Sequence, residues 1–105
     1  MVRNLASQEE WNNIIQDNRV VVVDCYTDWC LPCRFYGITF EGVAKMFEGK
    51  ALFIRVNVGE HSFIIEKYNL TVVPTTLIIV NGELKEFVEG SMKAEELVKL
   101  VNKYV

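Results

Sequence analysis

Residues 20–33 read Val20-Val21-Val22-Val23-Asp24-Cys25-Tyr26-Thr27-Asp28-Trp29-Cys30-Leu31-Pro32-Cys33. Four successive β-branched residues that do not alternate with polar ones have the pattern of a strand covered on both faces, so this segment is expected to be the central strand. After the loop Thr27-Asp28-Trp29, Cys30 stands where a helix can begin, with Pro32 in the first turn, where its missing amide hydrogen costs nothing. Two cysteines separated by two residues therefore lie at a strand-to-helix junction.

The flanking chain supplies the rest of a layered α/β unit. Ser7 and Glu10 form a capping-box pattern, and Trp11, Ile14 and Ile15 follow at helical spacing, predicting a first helix over Gln8 to Asp17. Beyond the cysteines, Phe35, Ile38, Thr39, Gly42, Val43, Met46 and Phe47 recur at helical spacing, and Gly49 offers a left-handed stop. Gly37 and Gly42 weaken that helix, each by roughly 1 kcal/mol relative to alanine. Ala51 to Val58 reads as a strand with Leu52, Ile54, Val56 and Val58 on one face and Phe53, Arg55 and Asn57 on the other.

A short helix from Ser62 to Tyr68 is expected to stop at Asn69, and Thr76 to Val80 reads as a further strand. Asn81-Gly82 then signals a tight hairpin to Leu84–Val88, because both central turn positions need positive φ. Gly90-Ser91 is expected to open a last helix with the stripe Leu97, Leu100, Val101 and Tyr104. A short extra strand near Arg3 to Ala6 completes the order. The expectation is one α/β domain over residues 1–105, with a central mixed sheet of four to five strands, the parallel part first, and helices on both faces.

Bulk composition narrows the function. With 50% hydrophobic and 24% charged residues, 105 residues can bury a core without disulfide or metal staples, which leaves the cysteines free for chemistry. The net charge is −3 and the basic residues are scattered, so no nucleic-acid partner is expected. No leader-like segment opens the chain and no apolar run is long enough for a membrane span. A cytoplasmic monomer, with no membrane association, is the expected state.

A thiolate attacks disulfides, and the unpaired amides and dipole at a helix start stabilise negative charge at Cys30. Cys33, one turn further on, is close enough to bridge with it. Cys30 is expected to be the attacking sulfur and Cys33 the resolving one. Structural zinc sites share this spacing but need a second ligand pair, and only Cys25 and His61 remain, so no metal site is expected. Asp24 has two readings. It is either a solvated strand end or a buried carboxyl behind the cysteines, a proton acceptor and donor for Cys33, raised by burial and partly offset by Arg55. Arg55 is either that partner or a surface residue. Cys25 points to the face opposite Asp24 and reads as a small core residue, His61 as a solvated neighbour of a helix cap, and Trp29 as an exposed indole for substrate contact. Core packing accounts for most of Trp11, Phe35, Tyr36, Phe40 and Phe47.

On these residues the chain resembles the thioredoxin family. Asp24, Trp29, Cys30, Pro32 and Cys33 match the family's Val-Asp-x-x-x-x-Trp-Cys-Gly-Pro-Cys segment, Val73-Pro74-Thr75 its Ile-Pro-Thr, and Asn81-Gly82 and Gly90 its hairpin and late glycine. The resemblance implies the thioredoxin fold and a dithiol–disulfide oxidoreductase that reduces protein disulfides without an added cofactor, recharged by a thioredoxin-reductase-type electron donor. It also implies a cis peptide bond before Pro74, facing the sulfurs, and backbone hydrogen bonds from Val73 to substrate; by itself an X-Pro step reads equally as trans. Leu31 replaces the family's glycine, Tyr26 its usual tryptophan, Arg55 its lysine, and Gly37-Ile38 stands where the family often has proline. Trp29, Leu31, Pro32, Val72, Val73, Pro74 and Gly90 are expected to form the substrate surface, more apolar than usual because of Leu31. An isomerase or oxidant, and a binding module without turnover, are the alternative functions.

Overall fold

In the computed structural model, which describes residues 2–105, the element order follows the hydrophobic pattern. β1 (Arg3–Asn4), α1 (Gln8–Asp17), β2 (Val20–Tyr26) and α2 (Leu31–Ala44) lead through a single 3₁₀ turn, Lys45–Phe47, to β3 (Leu52–Asn57), α3 (Phe63–Tyr68), β4 (Thr75–Val80), β5 (Glu83–Glu89) and α4 (Ala94–Asn102). The described strands form one sheet in the order β1-β3-β2-β4-β5. β2 pairs in parallel with β3 and antiparallel with β4, and the β4–β5 pair is antiparallel. The sheet is mixed and β2 is its centre, as the valine run predicts.

Alternation along β2 sorts its side chains into two layers. Val21, Val23 and Cys25 join Trp11, Ile14 and Ile64 in one core cluster, under α1 and α3. Val20 and Val22 join Tyr36, Phe40, Phe53, Leu97 and Val101 in the other, under α2 and α4. Asp24 continues the Val20–Val22 face and Cys25 the opposite one. β3 sorts the same way, with Ile54 and Val56 in the first layer and Phe53 in the second.

Local signals set most boundaries. Ser7 Oγ accepts from the Glu10 N–H at 3.1 Å, while Glu10 Oε1 accepts from Ala6, one residue before the expected partner. Asn69 is left-handed at φ 54°, and Asn81 and Gly82 have φ of 52° and 81°, the positive pair that the hairpin requires. α4 begins later than the Gly90-Ser91 signal. Gly90, at φ +89°, instead donates its N–H to the Pro74 carbonyl at 2.8 Å, and the helix is capped at Lys93, whose N–H is held by Glu96 Oε1 at 2.9 Å.

The face of α2 differs from the spacing read along it. Phe35, Ile38 and Met46 are exposed, whereas Cys33, Tyr36, Gly37, Phe40, Val43, Ala44 and Phe47 are buried. Arg34, Glu41 and Lys45 share an exposed side with Ile38, but apolar residues cover the other sides, so apolar spacing alone does not select the inner one. Contacts do: the Tyr36 hydroxyl meets Thr76 Oγ1 at 2.6 Å, and Phe40 packs on Phe53 with ring centroids 5.1 Å apart. Phe40→Ala should therefore cost about 3–5 kcal/mol in denaturant unfolding, while Phe35→Ala changes stability by no more than about 0.5 kcal/mol.

Candidate active site

The C-terminal end of β2 passes through the loop at residues 27–29 into Cys30, whose backbone is extended (φ −97°, ψ 107°) and which caps α2. The Cys33 N–H points at Cys30 Sγ over 3.2 Å, and the two residues form a disulfide with Cα atoms 5.2 Å apart. An amide at a helix start aimed at a sulfur stabilises negative charge there once the bond is reduced. Cys33 is only 1% exposed, while Cys30 is partly open to solvent.

The antiparallel pairing of β4 with β2 brings a second segment over the sulfurs. The Val73–Pro74 peptide bond is cis, and the Val73 carbonyl oxygen lies 3.9 Å from Cys30 Sγ. Thr75 Oγ1 donates to the Val72 carbonyl at 2.8 Å and the Pro74 carbonyl accepts from Gly90, which fixes the turn from both ends. Trp29 (81%), Leu31 (61%) and Val72 (46%) are exposed around the pair, with Pro32 exposed beside them. Val73 and Gly90 are half-buried and Pro74 is buried.

Behind the cysteines, Asp24 is fully buried and lies in register with Arg55 on β3 and Thr76 on β4. Arg55 Nε donates to Asp24 Oδ2 at 2.8 Å, and Oδ1 has no hydrogen-bond partner. Burial raises the Asp24 pKa to about 6, and the charge and hydrogen bond of Arg55 hold it from going higher. Both solvated readings, of Asp24 and of Arg55, are thereby set aside. The Tyr26 ring stacks against Arg55, with Cζ 4.0 Å from the ring centroid. A recess of about 270 Å³ beside Cys33 is lined by Tyr26, Thr27, Asp28, Arg34 and Arg55. A larger open concavity, about 770 Å³, sits at the other end of the sheet near Arg19, Lys50 and Asn102 and contains no cysteine.

Two contacts escape a reading of the sequence. Asn57 is buried, donates to Asp28 Oδ1 at 3.0 Å and accepts from the Gly59 N–H at 3.0 Å, bracing the loop before Trp29. Its only signal is a polar residue at the end of β3 on the Arg55 side. The Tyr36–Thr76 bond likewise joins α2 to β4 without a local pattern. Cys25 is buried, and burial together with the Asp24 charge pushes its thiol pKa up, leaving it unreactive. His61 is partly covered, edge-on to Phe63. Among the described residues no group of three or more metal-ligating side chains is assembled.

The sequence model of one family, Thioredoxin, matches residues 2–103. Thioredoxin 1 of Plasmodium falciparum (isolate 3D7) is 36% identical over 104 residues, covering 99% of this chain and 98% of that protein. The chain belongs to the thioredoxin family. It is accordingly a thiol–disulfide oxidoreductase, a protein-disulfide reductase acting on disulfide-containing substrates through a redox-active disulfide. Thioredoxin M5, chloroplastic, of Oryza sativa subsp. japonica is 30% identical over 96% of the chain and 59% of that longer protein. Among solved structures, a mutant thioredoxin from Halobacterium salinarum NRC-1 superposes with a TM-score of 0.90 at 29% identity, covering 98% of this chain and 89% of that one. The thioredoxin fold expected from the resemblance is the fold observed.

The raised pKa of Asp24 links this site to stability. The unfolded chain releases the proton near pH 4 and the folded chain near 6, so the folded state binds more protons across that window and loses stability as pH rises through it. Asp24→Asn does not titrate. Its stability relative to the wild-type chain should increase by about 3 kcal/mol between pH 3 and pH 8, read by urea unfolding at each pH.

Proposed function

We propose that Cys30 and Cys33 carry the disulfide-reductase activity, with Asp24 moving the proton. Cys30, as a thiolate, attacks one sulfur of a substrate disulfide, forming a mixed disulfide and expelling the other substrate sulfur as a thiolate. Asp24 takes the Cys33 proton, the Cys33 thiolate attacks Cys30 Sγ, and the substrate leaves fully reduced as the Cys30–Cys33 bond closes. Two electrons pass from the pair to the substrate. The observation that supports this order is the asymmetry of exposure: Cys30 is reachable at the helix start, while Cys33 is buried on the side of Asp24 and Arg55.

Trp29, Leu31, Pro32, Val72, Val73, Pro74 and Gly90 make the docking surface for substrate in this reading. The exposed Trp29, Leu31 and Val72 supply apolar contact and the Val73 backbone supplies hydrogen bonds to an extended segment. Arg55 tunes Asp24. The chain works as a single-domain, monomeric electron carrier over residues 1–105, placed in the cytoplasm and recharged by a thioredoxin-reductase-type donor.

Insulin reduction driven by dithiothreitol tests the cysteine roles. Cys30→Ser should abolish turnover, and Cys33→Ser should accumulate a mixed disulfide with substrate; undiminished turnover in Cys30→Ser overturns the assignment. Leu31→Gly should change the redox potential of the pair or the rate with at least one substrate. If neither moves, Leu31 takes no part in docking.

A further inference from the structure

Gly37 lies in the middle of α2 and is buried. Alanine is the better helix former at such a position, so a glycine there requires a reason. A Cβ built on Gly37 would stand 2.9 Å from Arg55 Cζ, 2.9 Å from Nη2 and 3.1 Å from Nη1, the first two closer than real Cβ atoms approach their neighbours. The space that another residue's side chain would fill is occupied by the flat guanidinium of Arg55. Gly42, in the same helix, has nothing within 4 Å of its virtual Cβ, so the occupied space is particular to Gly37.

Tyr26 also meets this guanidinium, its ring centroid 4.0 Å from Arg55 Cζ. A guanidinium attracted to an aromatic face and admitted beside a bare helix backbone keeps a defined orientation. In that orientation Nε, not the paired Nη atoms, donates to Asp24 Oδ2. Only one carboxylate oxygen is engaged. Oδ1 is left without a partner, inside the protein and on the side of the sheet that carries α2. A bidentate grip would place an N–H on each oxygen, whereas the single Nε contact leaves Oδ1 with no donor upon it.

We propose that Gly37 and Tyr26 are positioning residues for the redox reaction, forming a slot that aims Arg55 edge-on at Asp24 and leaves Asp24 Oδ1 open for proton exchange. This rests on the reading of Asp24 as the proton carrier. The other titratable and charged groups about Asp24 are Cys33 and Tyr36 on α2 and Tyr26 and Cys25 on β2, with Asp28 and Glu60 acting on Tyr26. Arg55 is the cation that offsets the burial of the carboxyl.

A double-mutant cycle between Gly37 and Arg55 tests the slot. The Asp24 carboxyl is titrated by NMR in the full-length protein, and the pH dependence of mixed-disulfide resolution is followed in parallel. Arg55→Met should raise the Asp24 midpoint by about 1–3 pH units, and Gly37→Ala should raise it in the same direction by less. In the Arg55→Lys background, Gly37→Ala should leave the midpoint where it was, because a single flexible ammonium lacks the Nη atoms that meet the new methyl. Tyr26→Leu should raise the midpoint, while Tyr26→Phe, which keeps the ring, should not.

A general packing defect from Gly37→Ala would act equally in both backgrounds, and that result, or an unmoved midpoint in Gly37→Ala, overturns the proposal. If the midpoint moves as expected but the resolution profile does not follow it, the slot stands and the proton-carrier role of Asp24 falls.

Discussion

The two-sided burial of β2 is the constraint on which the remaining structure depends. Val20 to Val23 place side chains in both core layers, so both faces of the strand must be covered by helices and both edges paired. Pairing β3 on one edge and β4 on the other sets the register that puts Arg55 and Thr76 on either side of Asp24. The strand's length then delivers the chain to a loop at residues 27–29 and to Cys30 at the helix cap.

Within that frame the site combines an exposed and a buried half. The open half is the helix start with Cys30, Trp29 and Leu31, met by the Val73–Pro74 turn at 3.9 Å from the sulfur. The closed half is Cys33, Asp24 and Arg55 beneath α2. Burying a carboxyl without its cation would raise its pKa further still, and Arg55 keeps it at about 6. An arginine at this place remains charged throughout, so the adjustment comes from geometry and not from its own titration.

The two apparent irregularities of α2 have different sources. At Gly37 the Arg55 guanidinium from β3 lies where a Cβ would stand, whereas Gly42 faces open space and nothing in the structure explains it. The exposure of Phe35, Ile38 and Met46 follows from which side of the helix carries Cys33 and Tyr36 inward. Once Cys33 is joined to Cys30 and Tyr36 reaches Thr76, the rotation of the helix is set, and apolar residues on the remaining side are left outside.

Local chemistry was legible in the sequence by itself. The β-branched run, the left-handed Asn69, the Asn81-Gly82 hairpin and the cysteines at a helix start each depend on backbone preferences of neighbouring residues and each appears where the pattern places it, as does the Ser7 half of the Ser7–Glu10 cap. The alternation of side chains on β2 and β3 also assigned Asp24 and Cys25 to opposite layers and Arg55 to the face away from Ile54. Tertiary structure decided what depends on contacts across the chain. Arg55 reaches Asp24 over a separation of 31 residues and Val73 reaches Cys30 over 43, and the guanidinium of Arg55 lies where a Cβ on Gly37 would stand. No local periodicity reports such contacts, because they arise only when the sheet register brings distant strands and one helix face together.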